Sequence, residues 1–438
     1  MENWIKENKE RIVNDLSDFI EIKSVQTEAK RNMPFGKGVS EALKYILNYA
    51  QNMGLETTNL DNYIGYADWG EGEEILGILC HIDVVPPGSG WDTDPYNLEI
   101  KEDRYIGRGV LDDKGPTIQI LNAIKYLKEK NIKPNKKVRV IFGTNEESGW
   151  KGINYYLKRM PAPDISFTPD AEFPVIFAEK GILHLEFSYK KEMLPSEIVK
   201  LEGGNAPNMV PNEAVAYIES DKDFIEENGI EIIKQKDKTK IIAHGKSAHA
   251  SLPQSGENAI SKLMIYLNKN YDNKIFKFYN DKIGKSYNGE KINAGFEDEE
   301  SGKLTFNTGM LNSTSFSVDI RYPVSIDKND LIRKIKSNLV SEISLNIKMH
   351  KKPLYVNKKS KLVNSLMGVY KEITNEESAP IAIGGGTYAR AVDNAVAFGP
   401  LFPHEEEIAH QANEYVKKDS FFKSFKIYTR AIKTLTTE

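Results

Sequence analysis

The chain has 438 residues, 40% of them hydrophobic and 28% charged, with a formal net charge of −4, which is long enough for two to three domains and more than one core. Near-balanced charge without a polybasic block disfavours nucleic acid and anionic membrane as partners, and no apolar run approaches a membrane span. The charged start MENWIKENKERIVNDL lacks a signal-peptide apolar region, and a lone cysteine, Cys80, excludes an internal disulfide framework; the expectation is a globular, cytoplasmic protein.

Apolar residues at Ile12, Val13, Leu16, Phe19 and Ile20 predict a helix over 4–22, and a second helix is expected over 40–53, stopped by Gly54. Strands are expected over 55–60, 63–68 and 75–85, the last an apolar run halted by Pro86-Pro87-Gly88. A helix follows over 116–130, with Pro116 tolerated in its first turn. Then come a strand over 138–142, the polar turn GTNEESG, a further helix, and a short strand over 165–168 ending at Pro169-Asp170. Strands that end in acidic turns, with helices between, describe an α/β sheet whose strand ends carry chemistry. After about Lys180 the pattern alternates, as in ILHLEF (182–187) and SFSVDIR (315–321), which predicts antiparallel strands with one solvated face; 297–300 reads as an acidic loop. From about Leu354 the helix-and-strand texture returns and closes on a helix bearing Phe421, Phe422, Phe425, Tyr428 and Ile432. The expected organisation is a discontinuous α/β catalytic domain, 1–180 and 354–438, with an α+β domain, 181–353, inserted in it.

Five candidate metal ligands stand at predicted strand ends or in the loops after them: His81, Asp112, Glu147, Asp170 and His410. Two imidazoles and three carboxylates suit a pair of divalent ions, Zn²⁺ or Mn²⁺, and a bridging carboxylate would leave a water position between ions about 3.5–4 Å apart. Asp83, two residues from His81, is a candidate to orient that ring. Glu146 and Glu147 cannot share one coordination position, so one suits a metal and the other a general base. Singly, each acid is an ordinary surface carboxylate or helix cap, and Cys80 is a packing residue; the signal lies in the set.

The stretches CHIDVVPPG, GRGVLDDKGP, GTNEESG, FTPDAEFPV, HGKSAHAS, SFSVDIRYP, GGGTYAR and AHQANE span nearly the whole chain. In these the sequence resembles the metallopeptidase superfamily of aminoacylases, carboxypeptidase G, succinyl-diaminopimelate desuccinylase and PepV-like dipeptidases, the last most closely. The resemblance implies a di-metal aminopeptidase-like catalytic domain with an inserted lid. It implies that Asp112 bridges two ions through a cis peptide to Asp113, with His81 and Asp170 on one ion and Glu147 and His410 on the other. Glu146 would be the general base, His249 an oxyanion donor from the inserted domain and Arg321 a clamp for a substrate carboxylate. Asn208, Gly385, Gly386, Thr387 and Arg390 are weaker substrate-pocket candidates. The implied activity is hydrolysis of dipeptides by a monomer; the alternatives are an N-acyl or N-succinyl amino acid deacylase and a non-catalytic metal-dependent binding protein. His404 departs from the pattern, which commonly has glycine there, and His184, His244 and His350 match no ligand position.

Overall fold

The computed structural model describes residues 1–236 and 238–437. The chain divides into two compact units, the first formed by Met1–Phe177, Tyr355–Ile381 and Gly386–Glu438 and the second by Ala178–Leu354 and Ala382–Gly385. The sequence reading carries 354–438 wholly in the first domain, whereas Ala382–Gly385 joins the second. Its main chain is tied there: Lys180 N–H donates to Ile383 O at 3.0 Å, and Arg321 Nη1 donates to Gly384 O at 3.1 Å.

The first unit is built on a mixed sheet in which strands run in the order Glu56–Leu60, Ile64–Trp69, Lys137–Gly143, Ile75–His81, Ile165–Thr168 and Ala395–Ala397. The first two are antiparallel to their neighbours, and the last four are mutually parallel. Ile75–His81 is buried at every position, as its unbroken apolar run requires of a strand paired on both sides. Its parallel neighbours Lys137–Gly143 and Ile165–Thr168 end at the same edge, where open α/β sheets place their ligands. The strand stops short of the predicted 75–85 because its pairing runs out. Ile82 N–H still reaches Gly143 O at 2.8 Å, but Val84 N–H turns to Ser24 O at 3.2 Å.

Helices Glu2–Glu21, Lys37–Asn52, Lys114–Glu129, Lys361–Thr374 and Lys418–Thr437 belong to this unit. The buried Lys114 joins two of them, its ammonium donating to Phe19 O at 2.9 Å and Ile22 O at 2.6 Å; cations suit such helix C-terminal carbonyls. On the strand Lys137–Gly143, Arg139 forks onto Asp68 through Nε and Nη2 at 2.7 and 2.6 Å and donates to the Tyr156 hydroxyl at 3.0 Å. Asp68→Ala leaves that guanidinium buried without its carboxylate, so a loss of about 3–5 kcal/mol is expected in urea unfolding; a change within the scatter of surface substitutions would contradict it.

The second unit is an eight-stranded antiparallel sheet in the order Ile230–Gln235, Lys238–His244, Glu213–Glu219, Ile198–Gly203, Thr305–Asn312, Ser315–Tyr322, Gly181–Ser188 and Ser344–Lys351. Gly181–Ser188 alternates buried and half-buried side chains beyond its start. A core of Phe187, Phe316, Tyr279, Leu263, Leu331 and neighbours joins the sheet to helices Ala259–Asn270, Lys274–Lys282 and Lys328–Lys336. The stretch read as an acidic loop is instead a small hairpin: Glu297–Asp298 pairs with Gly302–Lys303, and the Asp298 carboxylate closes the turn by accepting from Ser301 N–H at 2.6 Å.

Candidate active site

At the shared strand edge of the first unit the structure brings together His81, Asp112, Glu146, Glu147, Asp170 and His410. His81 is the last residue of its strand, Glu146 and Glu147 lie in the turn after Lys137–Gly143, and Asp170 follows Ile165–Thr168. The Asp112 carboxylate stands between two imidazoles. Its Oδ1 lies 2.8 Å from His81 Nε2 and its Oδ2 2.9 Å from His410 Nε2. Asp170 Oδ2 approaches His81 Nε2 at 3.8 Å, and Glu147 Oε2 approaches His410 Nε2 at 3.0 Å. The ligand atoms of His81, Asp112 and Glu147 converge within 4.8 Å, as do those of His81, Glu146 and Asp170. The peptide between Asp112 and Asp113 is cis.

Hydrogen bonds to the main chain set these orientations. His81 Nδ1–H donates to Asp83 O at 3.0 Å, which turns Nε2 toward Asp112. The Asp83 carboxylate itself is 3.6 Å from Nδ1 and accepts instead from the N–H groups of Glu146 and Glu147, at 3.1 and 3.2 Å. Asp83 therefore orients His81 by its carbonyl and the glutamate pair by its side chain. Trp150 Nε1 donates to Glu146 Oε1 at 3.0 Å, and Asp113 Oδ2 accepts from His81 N–H at 2.9 Å.

The donor set fits divalent cations. Buried His81 Nε2 and Asp112 Oδ1 face each other without a hydrogen-bond partner, and four carboxylates crowd two imidazoles. Burial raises Glu146, Glu147 and Asp170 each to about 7, the surrounding carboxylates adding to it. Burial pushes the His81 imidazole down, but the neighbouring carboxylates of Asp112, Asp170 and Asp83 outweigh it and hold the ring well above its usual range. His410 is raised to about 11 by its hydrogen bonds to Asp112 and Glu147.

The model of peptidase family M20/M25/M40 matches residues 77–434. The chain belongs to this family. It is 36% identical to the Bacillus subtilis protein named "Putative dipeptidase YtjP" over 98% of this chain and 99% of that one. A Staphylococcus epidermidis protein named "Putative dipeptidase" is 34% identical over 99% of each chain. Among solved structures, the fold matches aminopeptidase PepT from Bacillus cereus with TM-score 0.59 at 16% identity, over 98% of this chain and 99% of that one. It also matches human carnosine dipeptidase 1 with TM-score 0.57 at 13% identity, over 99% and 98%. The protein is thus a metallopeptidase with the family's catalytic and inserted domains.

The second unit of this M20 peptidase gathers its own predicted residues. Met209 pairs with His249, Ala250 N–H donates to Asn208 O at 2.9 Å, and a side chain on Gly384 would meet Ser251 at 2.9 Å. His249 is exposed, and its Nδ1 meets the Ser251 hydroxyl at 2.6 Å and Ser251 N–H at 3.2 Å. Arg321 is buried, with Nε and Nη2 on the Asp319 carboxylate at 2.6 and 2.9 Å. In the first unit Thr387 caps the short helical turn Tyr388–Ala391 by accepting from Ala389 N–H, while Arg390 is buried against Gly386. His404 is exposed with φ +72. His184 meets Asp319, His244 meets Glu231 and His350 meets the Tyr322 hydroxyl.

Burial pushes the Asp319 carboxyl up, but His184 and Arg321 outweigh it and hold it below the usual carboxylate range. The depressed folded value means that Asp319 contributes stability above the unfolded carboxylate pKa of about 3.9, and that this contribution is lost as pH falls through the folded value. Thermal unfolding of wild type and Asp319→Asn from pH 7 to pH 2 is expected to show the largest gap at the upper end and a shrinking one in acid. A gap independent of pH would contradict it.

Reading the sequence alone misses Trp150, Arg108 and Glu414, and the bond from His81 N–H to Asp113. Glu414 had a signal in its place at the end of the quoted AHQANE, and Arg108 and Asp113 in theirs within GRGVLDDKGP, whereas Trp150 had none.

Proposed function

We propose that the protein is a dipeptidase that holds two divalent cations, Zn²⁺ or Mn²⁺, and uses Glu146 as general base. The observation that carries this reading is Asp112, one carboxylate presenting a separate oxygen to each of two histidines. His81 and Asp170 would hold one cation with it, and Glu147 and His410 the other. Bound there, the cations would polarise a substrate carbonyl and lower the pKa of water.

Glu146 stands beside the ligand set without being needed to complete the two-histidine arrangement. Trp150 holds one of its oxygens, which leaves the other to take a proton from water and return it to the departing amine. The Asp83 carboxylate holds the main chain of both glutamates, so that base and ligand are set by one group. His249 is the candidate donor to a developing oxyanion, as the resemblance implies. Arg321 keeps only its remaining Nη hydrogens for a substrate carboxylate, since Asp319 occupies the fork; Arg321→Lys should weaken free dipeptides more than C-amidated ones if that contact is made. The long inserted domain favours a monomer, and the lone buried Cys80 a cytoplasmic setting.

The test is to strip the protein of metal, reload it with Zn²⁺ or Mn²⁺, and offer free, N-acylated and C-amidated dipeptides with products read by mass spectrometry. Metal-dependent cleavage of free dipeptides is expected. Cleavage confined to N-acylated substrates would make it a deacylase, and two bound metals with no cleavage of any member would favour a binding protein.

A further inference from the structure

Glu414 is wholly buried, and both of its carboxylate oxygens are engaged. Oε2 accepts from Arg108 Nη1 at 2.6 Å. Oε1 gathers the main-chain N–H groups of Gly109, Leu111 and Asp112 at 3.0, 2.9 and 3.3 Å. Those three groups lie in a stretch with no ladder partners, opened by Gly109 at φ +91, and inside a protein such donors must find an acceptor. Glu414 supplies it. Its own carbonyl accepts from Gly107 N–H at 3.0 Å, and the following strand Tyr415–Lys417 pairs with Arg104–Ile106.

The other half of the pair reaches a third segment. Arg108 lies 5.3 Å from the Trp91 ring centroid and sends Nη2 toward Pro87 O at 3.4 Å, both in the loop that leaves the His81 strand. One buried charge pair thus ties together the segments that deliver His81, Asp112 and His410. A buried ion pair is weak evidence for stability, since apolar groups of similar volume do as well or better. Its place among three ligand-bearing loops points to another role.

We infer that Glu414, braced by Arg108, is a positioning residue that fixes the spacing of Asp112 and His410 for the metal pair. The inference rests on the metal reading proposed above. Groups that orient ligands in this way are worth about 10–100-fold in metal affinity. Glu414→Ala removes both acceptors and the charge; Glu414→Gln keeps an acceptor oxygen for the three N–H groups but loses the charge and the acceptor that faces Arg108.

The test titrates metal-stripped full-length protein with Co²⁺, reading visible absorption and stoichiometry, with Zn²⁺ affinity measured by chelator competition. Asp68→Ala serves as a control whose buried ion pair lies elsewhere in the same unit, and thermal unfolding is recorded for every variant. Glu414→Ala is expected to lose about 10–100-fold in affinity for at least one ion and to change the Co²⁺ spectrum, with Glu414→Gln showing a smaller, several-fold loss. The control should bind as wild type. If Glu414→Ala does not fold, Glu414→Gln against the control still decides, a several-fold loss of affinity in Glu414→Gln alone being the expected result. Wild-type affinity and spectrum in the folded Glu414 variants, or an equal loss in the control, would overturn the inference. His410→Ala separates the two levels: unchanged stoichiometry there would bring down the metal reading and this inference with it. Reduced stoichiometry there beside normal Glu414 variants would bring down this inference alone.

Discussion

Glu146→Gln is expected to lower kcat by about 10²–10⁴-fold, the usual worth of a positioned acid–base group, while metal content stays at the wild-type level. The substitution is nearly isosteric, and glutamine Oε1 can still accept from Trp150 Nε1, which reaches Glu146 at 3.0 Å. What it removes is the capacity to take a proton. Glu147→Gln makes the contrast, because Glu147 Oε2 lies 3.0 Å from His410 Nε2 on the ligand side; that variant should lose metal as well as turnover. Metal analysis and steady-state kinetics on both variants read the difference. A kcat within about threefold of wild type for Glu146→Gln would place the base elsewhere, since even a modest acid–base contribution exceeds that. Loss of metal in Glu146→Gln would make Glu146 a ligand, an arrangement its convergence with His81 and Asp170 would also allow.

Stripping the protein with a chelator is expected to abolish hydrolysis and to lower the unfolding temperature, both restored by Zn²⁺ or Mn²⁺. Ligand binding to the folded state alone stabilises by RT ln(1 + [L]/Kd), about 4 kcal/mol per site at a free metal concentration 1,000 times Kd. The electrostatics give the direction. Asp112, Glu146, Glu147 and Asp170 are confined around His81, and burial with the neighbouring carboxylates raises Glu146, Glu147 and Asp170. Metal uptake must displace protons from the groups that ligate, so affinity should fall as pH falls, with proton release measurable by calorimetry in buffers of different ionisation enthalpy. Full activity and an unchanged unfolding temperature in protein shown to be free of metal would refute the two-cation reading.

These outcomes depend on features of unequal visibility in the sequence. The α/β class, the inserted antiparallel region and the positions of His81, Glu147 and Asp170 at strand ends follow from local pattern. An apolar run stopped by a polar turn marks a strand and its end with no knowledge of its neighbours. Asp112 and His410 stand out only as loop residues beside predicted strands, and the resemblance in GRGVLDDKGP and AHQANE supplies their roles as bridging and terminal ligand.

Other features require the folded chain. The strand Ile75–His81 ends where its neighbours stop pairing, so the expected i, i+2 relation of His81 to Asp83 gives way to a carbonyl contact and frees the Asp83 carboxylate for Glu146 and Glu147. Arg321 has an obvious carboxylate two residues away, yet only the register of Ser315–Tyr322 against Gly181–Ser188 brings His184 to the same Asp319. Glu414 meets Gly109 across 305 positions of chain. Sequence by itself determined which residue types stand at which strand ends, because that information is periodic and short-range. Tertiary structure alone decided which side chains hold those residues in place, because a buried donor takes whichever acceptor the packing presents, and that choice leaves no trace in local spacing.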